Sequence, residues 1–442
     1  MPRWTGTSVI LGVFAFGAFA MGVVTGGNAG EEPTSVDDPR LAQLEVRVLS
    51  PEKIQLLLIE AKAGNTEAQC LLGIAYFLGR TVARNDVEAA RWLTKAAESG
   101  DAVAQVYLGH LYRVGNGVPR SDAEAVKWYQ KSAEQGLAVG QNNLGYMYFR
   151  GAGGLPQDYQ EALKWFGKAA WQNLPGAEVN LGMMYHDGQG TARDYAQAER
   201  WFRKATQQGS GKAFTLLGLM YEKGEGVKKD YATAFRFFQA GADHAEPAAL
   251  SMLGFMYLNG YGVKKDYTQA LKWTRAAASK GVAEAEQTLG FMLDRGMGVV
   301  RDHDGAVKWY CSAADKGLPE AQNTVAYYVA TAKEGRRDLR KAAELYTKAA
   351  EKGVPAAQLN LGILFATGRG VPLDYAEAFY WLSLAKANGS RDAAKALEKI
   401  RGVMTPVQRG KAEAARAADR ATRASGPENH LDPSPLETCP LF

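Results

Sequence analysis

The sequence predicts an all-α solenoid, in which short pairs of helices stack one after another. A pattern built around a Leu-Gly pair recurs nine times, with Ala326 replacing the glycine once, and the copies follow at steps of 36 residues with one step of 37. Each copy holds two amphipathic helical stretches that are separated and ended by glycines. Self-similarity at a period of roughly 20 to 50 residues indicates stacked repeats, whose members bury their apolar stripes against one another.

The first helix of each copy, helix A, is predicted from its apolar spacing. In the sixth copy Leu253, Met256 and Tyr257 lie on one stripe at the helical period. Gly254 lies inside the same helix, where glycine costs about 1 kcal/mol relative to alanine. We therefore expect it to allow close approach of the second helix. Gly260 ends helix A, because glycine readily adopts the left-handed conformation found beyond a helix end.

The second helix, helix B, begins at a residue that can accept hydrogen bonds from free backbone N–H groups. This N-cap is Asp266 in the sixth copy. Its counterparts are Asn85, Ser121, Asp158, Asp194, Asp230, Asp302, Asp338 and Asp374. Helix B then carries Ala270, Trp273 and Ala277 as an apolar stripe with space for a neighbouring helix, and Gly281 closes it.

Together these features form the pattern A-x-x-x-L-G-x-M-Y-x-x-G-x-G-V-x-x-D-Y-x-x-A-x-x-W-x-x-x-A-A-x-x-G. This pattern closely resembles the Sel1-like repeat, a relative of the tetratricopeptide repeat, and the resemblance covers residues 65 to 389. It implies a right-handed superhelix of helix-turn-helix hairpins that serves as a protein adaptor. It does not specify a partner.

The composition is that of an ordinary folded protein. Apolar residues make up 46% and charged residues 22% of the chain. The net charge of +5 is small for 442 residues, so we expect no nucleic-acid partner. The three cysteines, Cys70, Cys311 and Cys439, lack the spacing of a zinc site.

The N-terminal residues 1–30 are predicted to be a signal peptide or a membrane anchor. Arg3 precedes a run without charges from Trp4 to Gly30, and Ala18-Phe19-Ala20 and Gly27-Asn28-Ala29 are candidate cleavage signals. An uncharged run of this length can also span a bilayer. Either alternative places the repeats outside the cytoplasm: in the periplasm, secreted, or anchored to the inner membrane. A third alternative is an apolar helix packed on the array.

The rest of the chain divides into further segments around the repeats. Thr405 and Gln408 fit a capping box that opens a last, polar helix. The predicted segments are a polar linker at 31–49, an N-terminal capping helix at 50–64, nine repeats at 65–389, C-terminal capping helices at 390–425 and a disordered tail at 426–442.

No motif in the sequence indicates catalysis, a metal or a cofactor. The recurring Gly-x-Gly is interpreted as a helix stop, because it falls at one position of the repeat. The segment from Gly209 to Lys212 resembles the end of a phosphate-binding loop but is followed by Ala213 instead of Ser or Thr. The histidines show no metal-ligand spacing. We therefore predict that the protein is not an enzyme.

Two columns of equivalent residues are candidate binding surfaces. The first follows the helix-A glycine and, by analogy with tetratricopeptide geometry, faces a concave groove that suits an extended peptide or a partner helix. The predicted groove residues, from this position and from one turn further along the helix, are Tyr146, Phe149, Met183, His186, Leu219, Glu222, Phe255, Phe291, Asp294 and Tyr327. The alternative is that tight curvature buries them as core.

The second column precedes the N-cap of helix B and would align as a basic edge. Its members are Arg84, Arg120, Arg193, Lys229, Lys265, Arg301 and Arg337. A cation beside a helix N-terminus is mildly unfavourable, so helix stability does not explain the column. It suits an acidic protein, an anionic polysaccharide or lipid headgroups. Solvated loop cations are the alternative.

The sequence therefore predicts a non-catalytic protein–protein interaction scaffold of the cell envelope, in the periplasm, that binds one or more proteins through its groove. A periplasmic regulator of a membrane sensor, or an assembly factor for the envelope or for polysaccharide export, is an alternative of the same class. Direct binding of an anionic glycan is an alternative of a different class.

Overall fold

The structure, a computed structural model, describes residues 51 to 332 and 337 to 414, and these residues contain helices and no strands. The predicted signal peptide or anchor, the linker and the tail lie outside these ranges, as do residues 415 to 425 of the predicted C-terminal helices. The helices are α1 Pro51–Lys62, α2 Thr66–Leu78, α3 Asp86–Glu98, α4 Ala102–Val114, α5 Asp122–Glu134, α6 Ala138–Arg150, α7 Tyr159–Trp171, α8 Pro175–Asp187, α9 Tyr195–Gln207, α10 Gly211–Lys223, α11 Tyr231–Asp243, α12 Pro247–Asn259, α13 Tyr267–Ser279, α14 Ala283–Arg295, α15 His303–Asp315, α16 Pro319–Thr331, α17 Leu339–Glu351, α18 Pro355–Thr367, α19 Tyr375–Ala387 and α20 Arg391–Arg401.

Helices α2 to α19 form the nine predicted pairs, with the even-numbered helices as helix A and the odd-numbered ones as helix B. The predicted fold class, an all-α solenoid of nine helix-turn-helix repeats with capping helices at its ends, is confirmed. The described chain divides into two compact units, residues 51 to 249 and residues 250 to 414, and the division falls inside α12. Repeats one to five lie in the first unit, up to this division, and repeats seven to nine lie in the second.

The helix-A glycine is the contact point of eight of the nine hairpins, as predicted. A Cβ atom built on Gly182 would lie only 2.6 Å from Cε1 of Phe202, and one on Gly290 would lie 2.8 Å from Cε1 of Tyr310. Both aromatic side chains are buried. Phe202 follows Trp201 and Tyr310 follows Trp309 in the sequence. The residue after the helix-B tryptophan therefore fills the space that the glycine leaves.

The helix ends follow the predicted cap chemistry. The Asp266 side chain accepts the backbone N–H groups of Thr268 and Gln269, and each of the other eight predicted N-caps also accepts at least one. Helix B ends on a left-handed glycine in most copies. Asn173, at φ 61°, and Ala245, at φ 57°, take this position in repeats three and five.

Both ends of the array are covered by additional helices. Apolar residues of α1 pack against α2 and against Trp92 of α3. At the other end, α20 and residues 406 to 414, which form a further helix, pack against α19. The predicted capping box is present: the Thr405 N–H donates to Oε1 of Gln408 at 2.9 Å, and the Gln408 N–H donates to the Thr405 hydroxyl at 3.3 Å.

Candidate interaction surfaces

The predicted groove column is only partly accessible. Tyr146, Met183, Phe255, Phe291 and Tyr327 are half-buried, so each leaves part of its side chain open to solvent. Leu219 occupies the same position in repeat five but is 0% exposed, which gives it no surface to offer a partner. The column is therefore neither fully core nor fully exposed.

Two aromatic residues of this column lie next to a cation one turn later in the same helix. The Arg150 guanidinium lies 6.0 Å from the ring centre of Tyr146, and that of Arg295 lies 5.8 Å from the ring centre of Phe291. A cation within about 6 Å of an aromatic face is attracted by the ring quadrupole. These positions therefore combine an apolar surface with a positively charged border.

The predicted residues one turn further along helix A pack on the first residue of helix B. The Phe149 and Tyr159 rings lie 5.3 Å apart, and the His186 and Tyr195 rings lie 5.0 Å apart. Glu222, at this position in repeat five, is half-buried, and burial raises the pKa of its carboxyl despite nearby lysines. This position contributes mainly to packing between helices.

His186 joins repeat four to repeat five. Its Nδ1 lies 2.7 Å from Oδ1 of Asp187, and its Nε2 lies 3.0 Å from Oε2 of Glu225 in the loop after α10. The side chain is buried, so its observed role is a link between repeats.

Asp294 forms a comparable link between repeats seven and eight. Its Oδ1 lies 2.9 Å from Nδ1 of His303, and the hydroxyl of Tyr328 on α16 donates to its Oδ2 at 3.0 Å. The Arg301 guanidinium lies 3.5 Å from the same carboxylate. Burial by itself raises the pKa of Asp294, but the bonds from His303 and Tyr328 and the nearby positive charges together hold it below its usual value.

All seven residues of the predicted basic edge are exposed. Three of them lie over the tyrosine that opens the following helix B, and these contacts offset the unfavourable position beside a helix N-terminus. The distances from charged group to ring centre are 5.9 Å for Arg193 and Tyr195, 4.7 Å for Lys229 and Tyr231, and 5.0 Å for Lys265 and Tyr267.

Three other residues of the basic edge also have local partners. Arg84 pairs with Asp86 at 2.9 Å, Arg301 pairs with Asp294 as described, and Nε of Arg337 donates to the carbonyl of Ala332 at 3.3 Å. Arg120 is exposed. Local contacts thus explain most of the column without an external ligand, and ligand binding there stays a prediction.

Sequence reasoning missed a polar column four residues before the helix-A glycine. The Gln105 side chain donates to the carbonyl of Ala97 in the preceding repeat at 3.1 Å, and Gln358 donates to the carbonyl of Ala350 at 3.0 Å. Both glutamines are buried. Glutamine recurs at this position in five copies, and this recurrence was the available signal. The column links successive repeats through a side-chain amide.

Two further observations on the described residues concern metal-binding groups and helices that could span a membrane. Within residues 51 to 332 and 337 to 414, no three or more His, Cys, Asp or Glu side chains are grouped so that they could hold a metal ion. None of the helices in the same ranges has the length and apolarity required to cross a membrane.

Comparison with known proteins accounts for the repeats. The model of the family described as Sel1 repeat matches nine segments, which together span well over half of the chain. They are residues 66–101, 102–137, 138–173, 175–210, 215–245, 247–282, 283–318, 319–354 and 355–390. A search of curated proteins gave no match.

Two solved structures are similar in sequence and fold. One is c5321, a protective antigen of uropathogenic Escherichia coli strains with an SLR fold; it is 27% identical, with a TM-score of 0.51, over 86% of this chain and 98% of that one. The other is a Sel1 repeat protein from Oxalobacter formigenes, which is 32% identical, with a TM-score of 0.50, over 70% of this chain and 89% of that one. The chain belongs to the Sel1 repeat family.

Proposed function

We propose that the protein is a non-catalytic adaptor of the cell envelope that binds a partner protein through the groove column. Sel1 repeat proteins generally mediate protein–protein interactions. The observation that carries the proposal is a set of half-buried side chains at one position of helix A, Tyr146 and Met183 in the first compact unit and Phe255, Phe291 and Tyr327 in the second.

The physical basis of binding is a surface that is ordered before the partner arrives. Aromatic anchors dominate binding free energy at protein interfaces. Since these side chains are half-buried on ordered helices, little further ordering is needed on binding, which favours affinity. An extended peptide or an amphipathic helix has the regular spacing of side chains that such a column requires.

From the sequence of residues 1–30 we propose that the protein leaves the cytoplasm. It is then located in the periplasm, secreted, or anchored to the inner membrane. An exported scaffold suits a regulator of a membrane sensor or an assembly factor for the envelope or polysaccharide export. Direct binding of an anionic glycan through the basic edge is the second candidate, and the exposure of all seven cations favours it. Their local contacts weigh against it.

Serine substitutions in the groove column test the proposal. Tyr146→Ser, Phe255→Ser and Phe291→Ser should leave the helical content nearly unchanged and each cost less than about 2 kcal/mol of stability, and each should reduce capture of envelope proteins from an extract of the native cells. Lys265→Ser serves as the control for the basic edge. A loss of more than about 2 kcal/mol of stability per site would place these rings in the core. Turnover of a cell-wall or β-lactam substrate by the purified protein would contradict the non-catalytic assignment.

A further inference from the structure

Trp171, the last residue of α7, is the largest apolar side chain among the strongly exposed residues that the structure describes, with 77% of its surface open. Its ring meets the ring of Trp201 on α9 edge-on, at 6.3 Å between centres and 82° between planes. The other copies hold polar or small residues at this position. They are Glu98, Glu134, Gln207, Asp243, Ser279, Asp315, Glu351 and Ala387.

The surface around Trp171 is positively charged. Lys168 and Lys164 lie one and two turns before it on the same stripe of α7, and both are exposed. On α9, Arg200 is exposed beside Trp201, and the Lys204 ammonium lies 5.1 Å from the Trp201 ring centre.

Only part of this positive charge is balanced within the protein. Lys164 pairs with Glu161 at 2.5 Å, and Lys204 pairs with Glu178 at 3.1 Å. Among the described residues, no carboxylate forms an ion pair with Lys168 or Arg200. The Lys168 ammonium does contact an aromatic ring, since it lies 3.8 Å from the ring centre of Trp165. Two cations without an ion-pair partner thus lie on the same two helices as the exposed aromatic pair, within a single compact unit.

We propose that this tryptophan face, defined by Trp171, Trp201, Lys168 and Arg200, docks an acidic protein segment that carries an aromatic or long aliphatic residue. A large aromatic ring in contact with another ring is the type of residue that anchors protein interfaces. Lys168 and Arg200 attract carboxylates of the partner and orient it. The face lies on the B helices of repeats three and four, whereas the groove column lies on the A helices, so this surface is additional to the proposed groove.

A peptide selection tests this proposal with the full-length protein. A phage library of random 12-residue peptides is selected against the wild type, and the affinity of the enriched peptides is measured by fluorescence anisotropy. We expect enriched sequences that combine Asp or Glu with Phe, Tyr, Trp or Leu. Trp171→Gln, which installs the residue of repeat four at this position, should weaken their binding at least about tenfold. Lys168→Ala or Arg200→Ala should weaken it about three- to fivefold, and more at low salt than at high salt.

Matched variants separate this face from other surfaces of the same unit. Val87→Gln removes another exposed apolar side chain, on α3, and should leave the affinity unchanged. The measurement uses no variant of the groove column, so a failure of the groove proposal would not affect this result. Failure to enrich any acidic peptide, or equal affinity of wild type and Trp171→Gln, would overturn the proposal. Binding of dextran sulfate that is lost in Trp171→Gln, without peptide binding, would instead assign the face to an anionic polymer and overturn it too.

Discussion

Repeats four and seven bury a carboxylate at the same position of helix A and neutralise it in different ways. Glu178 is 0% exposed and Glu286 is 3% exposed, where five other copies have glutamine. The Lys204 ammonium, on the third turn of α9, lies 3.1 Å from Oε1 of Glu178. The two groups form an ion pair, but the geometry at this oxygen is not that of a hydrogen bond. Lys316, at the C-cap of α15, donates to Glu286 at 2.6 Å. Each lysine also donates to a backbone carbonyl of the preceding repeat, as glutamine does in other copies.

The same two repeats also differ at the position one turn beyond the helix-A glycine, where one has a histidine and the other has an aspartate. Repeat four places His186 between two carboxylates, and repeat seven places Asp294 between His303 and Tyr328. Both arrangements join a repeat to the next one. The repeat pattern thus determines where a polar link lies, whereas the individual residues determine its charge and therefore its response to pH.

The largest expected effect comes from removing the cation of repeat four. Lys204→Met should lower the free energy of unfolding by about 2 to 3 kcal/mol, because it leaves a buried carboxylate without a counterion. This is less than the cost expected for a completely buried pair, since 34% of the Lys204 side chain is exposed. Urea denaturation followed by circular dichroism measures the change.

A second variant shows whether the loss arises from the charge. Glu178→Gln combined with Lys204→Met should regain most of the stability, because the amide can donate to the carbonyl of Ala170 as glutamine does in other copies. If the double variant were no more stable than Lys204→Met alone, the loss would reflect packing of the lysine stem instead of an unpaired carboxylate.

The two repeats should also differ in the direction of their pH dependence. Burial raises the pKa of Glu178, although Lys204 and Gln208 oppose it. Its contribution is therefore fully present below the unfolded pKa of about 4.3 and is lost as the pH rises through the raised folded value. The pKa of Asp294 is lowered, so its contribution is present above an unfolded pKa of about 3.9 and is lost as the pH falls through the lowered folded value.

Urea midpoints measured across acidic and neutral pH separate these two contributions. Relative to the wild type, Glu178→Gln should lose less stability as the pH rises above about 4.3, and Asp294→Asn should lose less as the pH falls below about 3.9. The same direction of change in both variants would contradict the difference between the two repeats.

The smallest expected effect concerns the backbone at the end of helix B. Repeats four and seven end on Gly209 and Gly317, whereas repeat five ends on Ala245 at φ 57°. Ala245→Gly should raise the free energy of unfolding by about 0.5 to 1 kcal/mol, because relief of the left-handed strain exceeds the added entropy of the unfolded chain. A lower melting temperature than the wild type would contradict this expectation, and Gly317→Ala is the matched variant that should destabilise.

Much of the fold could be predicted from the sequence, because the glycines, N-caps and apolar stripes act within one hairpin. The caps at Asp266 and its equivalents required only local hydrogen-bond chemistry. Links such as Asp294 with Tyr328 could not be predicted, since the two residues are 34 positions apart and meet only when repeats stack. Periodicity likewise could not distinguish the buried Leu219 from the half-buried Met183, because exposure depends on the neighbouring hairpin.

The candidate sites were less predictable than the fold. The groove and the basic edge rest on columns of equivalent residues, and columns do not reveal which members have local partners. Trp171 is a different case, because it is a single tryptophan in a column of otherwise polar or small residues. The sequence shows this exception, but no equivalent residue in another copy allows its exposure to be inferred.

In-cell photocrosslinking tests the proposed adaptor function most directly. A photoreactive amino acid replaces Phe255 in the groove column or Lys265 on the basic edge, and captured partners are identified by mass spectrometry. We expect one or a few discrete envelope proteins to be captured from position 255 and not from position 265. Capture only from position 265, or capture of a glycan, would contradict binding through the groove and make the basic edge the working surface.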